Sequence, residues 1–327
     1  MKALVVESLA ESYEGCVLKQ IATPSPGPGE ARVKILAAAV NFPDLLMTRG
    51  AYQHKPSLPF TPGLEFSGVV DQVGEGVTDL APGDAVVGGA GTGAFAEFAL
   101  APARALRPKP ERLSFSEAAA LGAVYLTAYV SLVRRASAQA GEWLLVLGAA
   151  GGVGLASVDL GNALGLRVIA ASHSVEKLAV VAAEYRPDAI VDSSKGFREE
   201  VKALTGGQGA DIIIDPVGGD VFDEAQRAIA FGGRLLVVGF ASGRIGRIDA
   251  NIPLIKGFSL IGVRAGEFGR RYPKLGAENL AAVWRLAAEG TIRPRVHAEV
   301  PLESWRSAFD LLAERQVIGK AVIRPDL

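Results

Sequence analysis

The chain has a single cysteine, Cys16, in 327 residues. One thiol permits neither an intrachain disulfide nor a cysteine-built structural zinc knuckle, and it suits a reducing compartment. Histidine is nearly as scarce, and His54, His173 and His297 are too dispersed to make a metal motif. Charge of one sign is missing too. Lys+Arg number 34 against Asp+Glu 35, a formal net charge of −1, and no basic block runs along the chain, which argues against a nucleic-acid partner. Two uncharged stretches, 118–133 and 143–158, fall short of the roughly 18 residues that a membrane span requires, and both read as buried core. Met1 to Glu7 meets an acid before any apolar stretch reaches signal-peptide length, so no export signal and a cytoplasmic location are expected. Internal repeats and low-complexity segments are also missing. What the chain does have, 49% hydrophobic and 21% charged residues, is the composition of a soluble globular protein of about two domains.

Residues 1 to about 115 alternate short apolar runs (32–37, 66–70, 84–87) with proline and glycine clusters, the signature of antiparallel strands with few helices. The texture changes at Ser114-Phe115-Ser116-Glu117, a helix start leading into an alanine-rich stretch that runs to Arg135, and this predicts a domain boundary near 115–122. From about 141 to 263, strand-like runs (143–147, 167–171, 189–191, 211–215, 234–238, 259–263) alternate with helical ones (153–164, 175–184, 197–204, 222–230). That rhythm predicts a doubly wound parallel sheet with helices on both faces. Beyond about 275 come a helix over 278–289, a second over 304–314 and a strand over 320–324. With no room for a third core, the tail is expected to rejoin the first domain.

After the apolar run 144–147 stands Gly148-Ala149-Ala150-Gly151-Gly152-Val153-Gly154, followed at once by a helical stretch. Against G-x-G-x-x-G the register is Ala149-x-Gly151-x-x-Gly154. A turn without side chains lets backbone N–H groups and a helix N-terminus approach a pyrophosphate. The next strand ends in Ser172-His173-Ser174, where an NAD enzyme would place an acid for the ribose 2′-hydroxyl, and no acid stands there. Ser172 and Ser174 can bind a 2′-phosphate and Lys177 can offset its charge, so NADPH is the expected cofactor. The alternative for Ser174 is a helix cap, and for Lys177 a solvated side chain.

Several pieces together resemble the zinc-independent quinone oxidoreductase (ζ-crystallin-like) branch of the medium-chain dehydrogenases/reductases. They are Asn41-Phe42-Pro43-Asp44 with Gly50-Ala51-Tyr52, Pro62-Gly63-Leu64-Glu65-Phe66-Ser67-Gly68, Val73-Gly74-Glu75-Gly76-Val77 with Gly83-Asp84-Ala85-Val86, the glycine turn itself, and Gly319-Lys320. Asp159 and Asn162 depart from the branch, which often carries Gln and a basic residue in that helix. The resemblance implies an α/β protein with a GroES-like β-rich catalytic domain (1–120 and 265–327) and a Rossmann domain (121–264), with NADPH in the cleft. Zinc-dependent relatives would have Cys at position 41 and His at 64. Here only Glu65 of that ligand set remains, and 88–93 lacks the cysteines of the structural zinc, so no metal is expected.

The chemistry that the resemblance leaves is hydride transfer from NADPH to a quinone, with reduction of a 2-enoyl thioester or enone as the alternative. A non-enzymatic NADPH-binding protein is a third and weaker reading. Candidate catalytic residues are Asn41, Tyr52 and Asp44. Asn41 can meet a carbonyl oxygen, the nicotinamide amide or a ribose hydroxyl; Tyr52 is a proton donor or a pocket wall; Asp44 is catalytic or a buried structural acid. The resemblance also implies cofactor contacts by Ala150, Gly151, Gly152 and Val153 at the pyrophosphate. Val217, Gly239 and Phe240 are implied at the nicotinamide half, Thr127 at its ribose or amide, and Lys320 at the cofactor as well. The basic segment 264–271 reads as a solvated loop, or as a contact to the cofactor or to an acidic substrate tail. The resemblance also implies a homodimer, with the Rossmann sheets of two subunits joined edge to edge through the apolar run 258–263, whose exposure would invite pairing.

Overall fold

A computed structural model describes residues 1–89 and 91–327; Ala90, inside the segment 88–93 read above for zinc cysteines, lies outside the described residues. The chain divides into two compact units, Met1–Ala123 with Arg293–Leu327, and Val124–Ile292. The boundary near 120 agrees with the expected one. The segment 265–292 does not, because it goes with the second unit and not the first. It holds the helices Ala265–Arg271 and Pro273–Glu289, and the second is anchored by Arg134, whose Nε donates to the buried Asn279 Oδ1 at 2.6 Å and whose guanidinium pairs with Glu278 at 3.0 Å. Val283 and Ala287 on the longer helix are fully buried. No helix among the described residues is long and apolar enough to cross a membrane.

The first unit is built on a seven-stranded sheet. Its order is Val296–Pro301, Lys320–Arg324, Glu30–Ala39, Glu65–Val73, Ala85–Gly88 and Arg107–Pro108, with Phe98–Pro102 pairing separately with Glu30–Ala39. The strand Glu30–Ala39 is central because its alternating side chains, with Ala31, Val33 and Ile35 buried, supply one face of the core. The tail returns as expected: Val322 and Ile323 pair antiparallel with Ala39 and Ala38. The helix Phe42–Thr48 was not anticipated from the β-rich texture. It starts where Asn41, in extended conformation, precedes Pro43 in the first turn, and the Asp44 carboxylate accepts a hydrogen bond from the Asn41 backbone N–H at 2.8 Å. This short helix follows directly on the sheet's central strand and so fixes Asn41 at its end.

The second unit is a six-stranded, wholly parallel sheet ordered Ala189–Asp192, Arg167–Ser172, Trp143–Leu147, Ala210–Asp215, Ile229–Val237, Ser259–Gly262. Counted within the unit this is 3-2-1-4-5-6, the doubly wound order, and the chain reverses direction across the sheet between Trp143–Leu147 and Ala210–Asp215. The strands are apolar throughout, Leu144 to Leu147 and Ile212 to Ile214 being fully buried, as helices covering both faces require. One boundary moved: the helix expected over 222–230 is Gly219–Ala228, and the next strand begins at Ile229.

Candidate active site

Ligands of open α/β sheets sit outside the carboxyl ends of the strands where the strand order reverses, and the glycine turn lies at that point. Gly148 leaves Trp143–Leu147 with φ of 61°, and Ala149 N donates to Ala171 O at 3.0 Å, tying the turn to the neighbouring strand. Gly151 then caps the helix Gly152–Ala163, whose first-turn N–H groups have no intrahelical acceptor. A Cβ on Gly154 would stand 2.1 Å from Gly148 O, so glycine there permits the helix to start against the strand. Ala149 and Ala150 are buried, whereas Gly151, Gly152 and Val153 reach the surface. The cradle therefore presents backbone N–H groups and a helix dipole with little side chain in the way, which suits a pyrophosphate.

Beside it, Ser172 closes the strand Arg167–Ser172, with its buried Oγ accepting from Ser174 N at 3.3 Å. Ser174 caps the helix Val175–Tyr185: its Oγ accepts from Lys177 N at 3.3 Å and donates to Glu176 Oε2 at 2.9 Å. The cap reading of Ser174 is thus realised. Lys177 is half-buried, and burial holds its ammonium below the usual lysine range. The structure also brings two acids here that the linear reading missed. Glu176 follows on the helix, and Asp192 ends the neighbouring strand directly opposite Ser172. Asp192 lies below the ordinary carboxylate range, chiefly through hydrogen bonding with Ser194, with smaller help from Lys195 and His173.

The loops after Ala210–Asp215 and Ile229–Val237 run on side by side. Val238 N and Gly239 N donate to Asp215 O, Ala241 N to Pro216 O at 3.1 Å, and Ser242 N to Val217 O at 2.9 Å. Val217, Gly239 and Phe240 are thereby gathered at one end of the sheet, and a Cβ on Gly148 would meet Val217 Cγ2 at 2.8 Å. Asp215, unnoticed in the sequence as a site residue, organises this end. Fully buried, its Oδ1 accepts from Val217 N and Gly218 N at 2.8 and 2.9 Å, its Oδ2 has no partner, and burial pushes its carboxyl up. Thr127 lies on the helix Gly122–Tyr129, with its carbonyl accepting from Ser131 Oγ at 2.7 Å.

In the first unit the structure brings Asn41, Asp44 and Lys320 together and adds Glu65. Lys320 Nζ donates to Asn41 Oδ1 at 2.6 Å and stands 3.4 Å from Glu65 Oε1. Asn41 Nδ2 donates to Glu65 Oε1 at 3.0 Å and to Ala39 O at 3.2 Å, and Glu65 Oε2 accepts from Ala123 N at 2.7 Å. Asn41, Glu65 and Lys320 are all buried. Asp44 is wholly buried, with its two oxygens taken by Asn41 N and by Gly63 N at 3.2 Å. Burial is the largest influence on it and pushes its carboxyl up to about 7. These contacts fit the structural alternative for Asp44. Tyr52 stays outside the cluster: its half-buried ring packs on the unit's core, and its hydroxyl has no hydrogen-bond partner among the described residues.

Residues 27–111 match the alcohol dehydrogenase GroES-like domain and 152–282 the zinc-binding dehydrogenase family. The chain is 41% identical to a quinone oxidoreductase-like protein 2 homolog of Nematostella vectensis, covering 93% of this chain and 84% of that one. The chain belongs to the medium-chain dehydrogenase/reductase family, in its quinone oxidoreductase branch. It is also 32% identical to the quinone oxidoreductase of Rattus norvegicus, over 93% of this chain and 91% of that one. Among solved structures it is similar to the quinone oxidoreductase of Thermus thermophilus, which was also determined in complex with NADPH. That likeness has a TM-score of 0.84 and 33% identity, over 99% of this chain and 100% of that one. Within this medium-chain dehydrogenase/reductase the residues do not fit the zinc that the name of the matched family implies. The cluster around Asn41 offers one carboxylate and a neutral amide, and a cation, the Lys320 ammonium, already stands against them.

Proposed function

We propose that this protein is an NADPH-dependent reductase that passes hydride to a quinone or a similarly conjugated carbonyl. The observation that carries the reading is the glycine cradle at the reversal point of a 3-2-1-4-5-6 sheet, in a chain whose Lys320 ammonium stands against Asn41 and Glu65. Reduced nicotinamide supplies the hydride. Gly151, Gly152 and Val153 receive the pyrophosphate, and Lys177 offsets a 2′-phosphate against the nearby Glu176 and Asp192. Val217 and Gly239, held by Asp215, flank the nicotinamide half together with Phe240. With two electrons and one proton delivered by the hydride, a quinone becomes a hydroquinone by taking one further proton, which water can supply.

Tyr52 favours a second reading. Its hydroxyl, without a hydrogen-bond partner among the described residues, is available to protonate carbon, the step that reduction of a 2-enoyl thioester adds. NADPH oxidation followed against a panel of quinones and 2-enoyl-CoA thioesters separates the two. Turnover of quinones is expected; turnover of the thioesters alone would replace the first reading with the second, and tight NADPH binding with no turnover would make the protein a non-enzymatic binder.

A further inference from the structure

We propose that Glu65 is a positioning residue: it sets the direction of the Asn41 amide and thereby makes Asn41 a hydrogen-bond acceptor toward its ligand. The amide direction is dictated by partners that have no choice. An ammonium only donates, while a carboxylate and a carbonyl only accept, so Asn41 Oδ1 faces Lys320 and Nδ2 faces Glu65 and Ala39. Both Nδ2 protons are then committed. Oδ1 has two lone pairs and Lys320 uses one, which leaves Asn41 able to accept one more hydrogen bond and unable to donate any. Glu65 cannot turn away, because Ala123 N–H holds its other oxygen at 2.7 Å.

The consequence rests on the reductase reading. A quinone or enone oxygen can only accept, so it finds no donor on Asn41. A reduced nicotinamide dinucleotide carries a carboxamide and ribose hydroxyls that can donate. Asn41 therefore serves the dinucleotide and not the oxygen of the hydride acceptor. Glu65→Gln breaks the arrangement without changing size, since one glutamine oxygen cannot satisfy both Ala123 N–H and Asn41 Nδ2. If its nitrogen faces Asn41, the Asn41 amide must reverse and set its own N–H2 against Lys320.

Solvent exchange of the Asn41 side-chain amide protons, read by NMR on the full chain without any dinucleotide, tests the tie directly. Slow exchange is expected in the wild type and at least about tenfold faster exchange in Glu65→Gln, the scale of one lost charge-assisted hydrogen bond. In parallel, the NADPH Kd should rise about tenfold or more in Glu65→Gln, with partial recovery in Glu65→Asp, which keeps the carboxylate. The KM for a quinone at saturating NADPH should move less than about twofold. Unchanged exchange, or a shift confined to the quinone KM, would overturn the assignment. So would a lowered Tm with unaltered exchange and NADPH affinity. Should Glu65→Gln not fold, the wild type still decides: Asn41 protons exchanging like those of a free side chain contradict the proposal. A wild type that binds no NADPH would refute the reductase reading, while the exchange rates would still judge the role of Glu65.

Discussion

Tyr52 and Asp44 behave oppositely as single residues. The Tyr52 hydroxyl has no hydrogen-bond partner among the described residues, so Tyr52→Phe should lower kcat for a 2-enoyl thioester by roughly 10²–10⁴-fold, the usual contribution of a general acid. For a quinone, whose oxygens take protons from water, the same change should cost less than about tenfold. Equal and small losses for both would make Tyr52 a pocket wall. Asp44 acts on stability. Its carboxyl is raised by burial from 3.8 to about 7, so the folded chain holds this proton more tightly than the unfolded one does. The stability it contributes is fully present below about pH 4 and is lost as pH rises through about 7. Asp44→Asn should remove that part of the pH slope in urea titrations between pH 5 and 8. It should also lower stability by about 1–3 kcal/mol, because an amide nitrogen would face the N–H of Asn41 or Gly63. An unaltered slope would contradict this account.

At the scale of elements, the glycine turn and the helix after Ser172 carry the cofactor argument. Gly154→Ala places a methyl 2.1 Å from Gly148 O, so the helix must shift off the strand. Calorimetry should then show weaker dinucleotide binding together with a loss of about 1–3 kcal/mol of stability. On the neighbouring helix, charge decides. Lys177→Ala should weaken NADPH and leave NADH nearly unchanged, whereas Glu176→Gln should tighten NADPH, each by up to about tenfold. Equal effects on both cofactors would remove these residues from the 2′-phosphate. The turn was legible in the sequence because its chemistry is local: glycine, strand before, helix after. Asp192 was not legible as a neighbour of Ser172, because only the parallel register brings the two strand ends together across 20 residues of chain. Glu65 lies in the motif Pro62–Gly68, but its tie to Asn41 and Lys320 spans 24 and 255 residues and depends on three strands of one sheet. The segment 265–292 went to the wrong unit in the sequence reading because helical spacing shows which face is apolar and not what covers it.

For the whole molecule, one of the two edges of the second unit's sheet carries the argument. Ser259–Gly262 is an edge strand, Leu260 on it is 41% exposed, and Phe231 beside it is 86% exposed. Unpaired strand edges with apolar side chains invite pairing, and we propose that a second copy of the chain supplies it. Light scattering at micromolar protein should give a dimer, and Leu260→Lys should shift it toward monomer; a monomeric wild type would contradict the proposal. The central claim is metal-free hydride transfer from reduced nicotinamide to a conjugated acceptor. It is tested most directly by single-turnover oxidation of NADPH by a quinone, after chelator treatment, with deuterium at the transferred C4 position. The account predicts full activity after chelation and a slower oxidation of the deuterated cofactor. Activity lost to the chelator and restored by zinc, or a rate indifferent to the deuterium, would contradict it.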